Sequence, residues 1–143
     1  MSDWVPRRTR ELVTRHSSSE RCEYCGCPQS HCPDSLSVEH VIPKHLNGGH
    51  DESNLALSCQ GCNGRKHTAI EEVDPVTCEP APLFNPRTDD WNTHLSWNEN
   101  ETVVWGRTRT GRATVARLAL NRPGVVNLRR LLVKEASQVE ADQ

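Results

Sequence analysis

The chain contains no run approaching the ~20 apolar residues needed to cross a bilayer, and its opening, MSDWVPRRTR, carries no apolar stretch of signal-peptide length. The expectation is a cytoplasmic protein with no membrane partner. Aromatic residues are scarce at 4%, with one Phe and one Tyr, hydrophobic residues total 34%, and mean hydropathy is -0.71. A chain of 143 residues and 16.1 kDa suits one domain, yet a core this thin needs help from a metal or a partner. Acidic residues are absent from Thr102 to Lys134, where seven arginines and one lysine stand, whereas Glu71 to Glu101 holds eight carboxylates against Arg87 alone. The net charge of -2 therefore hides a cationic segment suited to phosphate, with a solvated helix face as the plainer explanation.

What the chain does have is cysteine, seven in all. An odd number argues against a full disulfide framework, and in a reducing compartment Cys-x-x-Cys pairs are more often metal knuckles. Cys22 and Cys25 in RCEYCG, with Cys59 and Cys62 in SCQGC, supply four thiolates at the spacing that lets each pair hold one tetrahedral zinc ion. Cys27, Cys32 and Cys78 read as small unpaired thiols.

Between the knuckles, LSVEHVI (36–42) alternates apolar and polar residues as a strand, KHLNGGHDESN is a glycine-bearing loop, LALS (55–58) is a second strand, and CQGCNGRKHTAI turns into a helix. Pro6 to His16 reads as an amphipathic helix. Residues 71–87, with four prolines, read as an extended connector lying across the surface. HLSWNENETVVWGRT reads as a hairpin, and two helical patterns follow on either side of Pro123-Gly124. The expected organisation is a single domain, 1–143, with an N-terminal helix in 1–21, a core in 22–70, a connector in 71–92 and a C-terminal hairpin with basic helices in 93–143.

Cys22 and Cys25, EHVIP (39–43), Gly48-Gly49, NLALSC from Asn54 and CNGRK (62–66) together resemble the HNH endonuclease family. The likeness extends through LFNPR, DDWNTHLSW, TGRATV and LNRP to small stand-alone bacterial HNH proteins with a four-cysteine zinc site. The opening acid here is Glu39, where Asp is commoner, and Asn63 closes the motif where the family name has histidine; both variants occur in the family. The resemblance implies an α+β fold: a zinc-stapled ββα-metal core, the treble-clef-like His-Me finger, flanked by helices and followed by a hairpin and further helices. It implies metal-dependent hydrolysis of DNA, double-stranded by expectation, leaving a 5′-phosphate and a 3′-hydroxyl.

Hydrolysing a phosphodiester needs a base for water, a cation for the phosphate charge and stabilisation of the departing oxygen. His40, with an ordinary pKa near 6.5, suits the base. Glu39 and Asn63 offer hard oxygen ligands for Mg²⁺ or Mn²⁺, provided the strand twists at its end, because neighbouring side chains otherwise point to opposite faces. Asn54 suits an orienting amide spanning the loop. Arg65, Lys66, Arg107, Arg109 and Arg112 are candidate phosphate contacts, and His45, His50 and His67 read as solvent-facing. The rival functions are a non-catalytic zinc-binding module that holds nucleic acid or protein, and a redox dithiol protein.

Overall fold

The computed structural model describes residues 5–16 and 20–141; the rest of the expected N-terminal segment 1–21, and residues 142–143, lie outside the described residues. Helix α1 spans Arg7–His16. Strands β1 (Ser37–His40) and β2 (Leu55–Ser58) pair antiparallel, with Glu39 opposite Ala56 and His40 opposite Leu55. Helix α2 (Gln60–Lys66) follows directly, with Cys59 as its N-cap and His67, at φ 49°, as its stop. Then come the hairpin β3 (Glu71–Val73) and β4 (Pro80–Pro82), the short helix α3 (Trp91–His94), the hairpin β5 (Leu95–Trp97) and β6 (Val104–Gly106), and helices α4 (Arg109–Leu118) and α5 (Pro123–Ala141). The described residues thus form a mixed helix and sheet structure with three separate two-stranded sheets.

The β1–β2 hairpin separates two apolar clusters, and strand alternation decides which residue meets which. Leu55 and Leu57, with Val38 beside them, join Val5 and Val13 in a small cluster with α1. Ala56 faces the other way, into the larger cluster that holds the cysteines of both knuckles, Phe84, Leu95, Leu118 and Leu120. β2 is buried along its whole length because both faces are covered.

Residues 71–82, within the segment expected as an extended connector, form a pinned hairpin. Asp74, fully buried, accepts bonds from the amides of Val76 and Thr77 and from the Thr77 hydroxyl, closing the β3–β4 loop. Arg112 of α4 then reaches the same carboxylate with two bonds of 2.8 Å. A proline-rich strand pair can exist here because Pro80 and Pro82 sit in a two-stranded sheet with an open edge, where a missing N–H costs no ladder bond.

α4 and α5 are fastened to the first half of the chain by arginines. Arg117 donates to the Arg65 carbonyl at 2.9 Å and to Glu72 at 3.3 Å. Arg129, 6% exposed, donates to the carbonyls of Thr102 and Cys25 and lies over the Trp97 ring at 5.1 Å. Among the described residues, no helix is long and apolar enough to cross a membrane.

Candidate metal centre and active site

The sulfur atoms of Cys22, Cys25, Cys59 and Cys62 all lie within 4.8 Å of one another, and all four residues are buried. Cys25 and Cys59 approach to 3.7 Å, close to the ~3.8 Å edge of a tetrahedron whose metal–sulfur bonds are about 2.3 Å. In each knuckle the second cysteine's amide points at the first one's sulfur, at 3.5 Å for Cys25 and 3.4 Å for Cys62. Arg122, from the turn between α4 and α5, sets its guanidinium 3.6 Å from the sulfurs of Cys59 and Cys62. Hydrogen bonding with Cys22 first, then Cys25 and Cys62, drives the Cys59 thiol far below its ordinary value, while hydrogen bonding with Cys22 first, then Cys25 and Cys59, drives Cys62 far above. Four sulfurs this close cannot all ionise on their own; a divalent cation among them allows it, and the residues present fit zinc.

Glu39 faces this cluster from β1. The residue is 5% exposed; one oxygen takes the Tyr24 hydroxyl and the other takes Lys66 Nζ at 3.1 Å. Lys66, 1% exposed, also donates to the carbonyls of Val41 at 3.0 Å and His40 at 3.4 Å. Burial pushes the Glu39 carboxyl above its ordinary range, against the pull of Lys66 and Tyr24. Burial likewise pushes the Tyr24 hydroxyl well up, so it remains a donor to Glu39.

His40 lies next to Glu39 in sequence but not in space. Regular pairing continues through His40 opposite Leu55, and in a regularly paired strand neighbouring side chains point to opposite faces. His40 is half-buried at the strand end, where its Nε2 stands 2.8 Å from Nδ1 of His50. Asn54 latches the intervening loop: its Oδ1 accepts the Ile42 amide at 3.0 Å, and its Nδ2 donates to the carbonyls of Ile42 and Gly49, each at 2.9 Å. Asn63 sits half-buried on α2, three residues before Lys66 and so on the same side of the helix.

Two of the candidate phosphate contacts, Lys66 and Arg112, are engaged within the protein. Lys66 is interior, and Arg112 is bound to Asp74. Arg109 pairs with Glu79 at 3.3 Å, Arg107 donates to the Asn92 carbonyl at 2.9 Å, and exposed Arg65 donates to the Gly61 carbonyl at 3.2 Å. The sequence counted charges along the chain; the fold matches many of them to carboxylates and carbonyls from the acidic half. Tyr24 and Arg122 were not given a role at the site from sequence, and His50, read as solvent-facing, is exposed but also meets His40. The available signals were thin: a tyrosine between the first two cysteines, a histidine after two glycines, an arginine before Pro123.

Comparison with known proteins bears on this region directly. The chain is 29% identical over 113 residues, 78% of its length, to a protein named Septu protein PtuB from Bacillus thuringiensis, and it spans 40% of that relative. Residues 22–69 match the family model described as HNH endonuclease. That match encloses both knuckles, the β1–β2 hairpin and α2, so the likeness to the HNH endonuclease family falls on the region that carries the four-cysteine cluster and His40.

Proposed function

We propose that the chain is an endonuclease that hydrolyses DNA phosphodiester bonds, with His40 as the base that activates water. The observation that supports it most is the position of His40. It stands at the loop end of the β1–β2 hairpin, within the stretch that matches the HNH endonuclease family and beside a loop latched by Asn54. A metal-stapled ββα core that merely bound a partner would have no need of a histidine held in this way.

Zinc belongs to the frame in this proposal. Bound by Cys22, Cys25, Cys59 and Cys62, it fixes α2 against the hairpin and is fully coordinated by protein, which leaves no open position for substrate. A water molecule gives a proton to the His40 ring, its oxygen bonds to phosphorus, and the bond from phosphorus to the 3′ oxygen breaks; that oxygen takes a proton from solvent, leaving the 5′-phosphate and 3′-hydroxyl, and the His40 imidazolium later returns its proton to solvent.

The family resemblance also implies a catalytic Mg²⁺ or Mn²⁺ held by Glu39 and Asn63. Glu39 does not fit that duty in this structure. A hydrated hard cation needs free carboxylate oxygen and room for its waters; the Glu39 oxygens are taken by Tyr24 and Lys66, and the residue is 5% exposed. No step here is assigned to that ion. Its requirement is a matter for assay: supercoiled plasmid incubated with the zinc-loaded protein, with and without added Mg²⁺ or Mn²⁺. Conversion to nicked or linear DNA supports the proposal. Binding without cleavage under every condition would favour the non-catalytic zinc module.

A further inference from the structure

His50 follows Gly48-Gly49 in the loop between β1 and β2, and its Nδ1 faces Nε2 of His40 across 2.8 Å. The rings meet edge to face, with centroids 4.9 Å apart and planes at 83°. That separation is a hydrogen-bond length, and among the described residues the only group of three or more His, Cys, Asp or Glu side chains close enough to hold a metal is the four-cysteine cluster. The contact has the length and the partners of a hydrogen bond between the two rings.

The loop that delivers His50 is held from several sides. Asn54 binds the Gly49 carbonyl immediately before it and both backbone groups of Ile42 at the loop's start. Asn47 turns the chain at φ 66°, and Gly48 then presses on the Ile42 carbonyl so closely that a Cβ would lie 1.7 Å from that oxygen. Only glycine fits there. The amide that spans the loop therefore also sets where His50 sits.

We propose that His50 is the positioning residue for His40: its Nδ1 accepts the Nε2–H of His40 and so places the proton-accepting lone pair on Nδ1 of His40. This rests on the reading of His40 as the base. A neutral imidazole has one donor and one acceptor nitrogen, and the partner of one nitrogen selects the tautomer. When water's proton moves to Nδ1, the oxygen left behind bonds to phosphorus and His40 becomes an imidazolium. The same Nε2–H contact then becomes charge-assisted. His50 itself gains and loses no proton. Its contribution grows with proton transfer, so it belongs to kcat and not to DNA affinity.

The test uses the zinc-loaded full chain and two variants, His50→Ala and His50→Asn, since the Asn Oδ1 can accept where the imidazole Nδ1 does. Nitrogen-15 NMR of the His40 ring should show the Nε2–H tautomer in the parent, a mixture in His50→Ala and recovery in His50→Asn. In plasmid cleavage, kcat should fall about ten- to hundredfold in His50→Ala with KM unchanged, the loss expected for one hydrogen bond to a developing cation, and return in large part in His50→Asn. A parent His40 in the Nδ1–H tautomer, or an unchanged kcat in His50→Ala, overturns the proposal. If His40→Ala cleaves as well as the parent, the base reading fails separately, while the NMR result still decides whether His50 sets the His40 ring.

Discussion

Replacing Lys66 by Met tests whether this lysine serves the interior or the substrate. The side chain is 1% exposed, and its ammonium holds Glu39 at 3.1 Å and the Val41 carbonyl at 3.0 Å. Removing one member of a buried pair leaves the other as an uncompensated charge, which typically costs about 3–5 kcal/mol. For a chain of this size that corresponds to a Tm lowered by roughly 10–20 °C. Lys66→Met with Glu39→Gln should recover at least half of the loss, because no unpaired charge then remains; a double-mutant cycle isolates the coupling. The sign with pH also follows. Burial already holds Glu39 above its ordinary value, and Lys66 is the largest influence pulling it down. Without Lys66 the carboxyl rises further. A raised folded-state pKa contributes stability below the unfolded value and loses it as pH rises through the folded value. The Lys66→Met penalty should therefore be smaller at pH 5 than at pH 8. Urea unfolding of zinc-loaded protein at both values reads this out. A loss below about 1 kcal/mol at pH 8, well under what breaking a buried pair costs, would refute the buried-pair reasoning.

Metal analysis should find about one zinc per chain, and a strong chelator should remove it with loss of structure across the knuckles, because site formation and folding are coupled. Arg122→Ala should release zinc faster to a colorimetric chelator without changing stoichiometry, since it removes a cation 3.6 Å from two of the sulfurs. Arg112→Gln should lower Tm and leave the salt dependence of DNA binding unchanged, because Arg112 is bound to Asp74. The Arg112 guanidinium holds the Asp74 carboxyl well below its usual range. Asp74 therefore stabilises the parent above the ordinary carboxylate pKa, and this is lost as pH falls through the depressed value; acid titration of the unfolding midpoint should show a smaller drop in Arg112→Gln.

The order of strand, loop, strand and helix between the knuckles was legible because it rests on local signals: alternation in SVEH, the glycine loop, and a cysteine at a helix start. β2 was read as residues 55–58, the same span it has in the structure, and the hairpin around NENE was placed between the strands that form it. What stayed hidden depended on partners distant in sequence. Asp74 needed Arg112, 38 residues away, to turn an expected connector into a fixed hairpin. Lys66 and Arg112 read as candidate phosphate contacts because their matching groups, Glu39 and Asp74, carry no sign of burial in the sequence. The four cysteines come together as their spacing implied, whereas Glu39 and His40 separate across the sheet. That separation follows from side-chain alternation along a strand paired regularly through His40, a pairing that residue types alone do not determine.

The most direct measurement is cleavage of supercoiled plasmid by the parent and by His40→Ala, prepared identically and checked for equal zinc content and equal DNA binding, each with and without added Mg²⁺ or Mn²⁺. The parent should nick or linearise the plasmid, and His40→Ala should be slower by about 10²-fold or more, since general-base assistance is typically worth about 10² to 10⁴. Equal rates for the two proteins, or no cleavage by the parent under any of these conditions, would contradict the assignment of His40 as the catalytic base of an endonuclease.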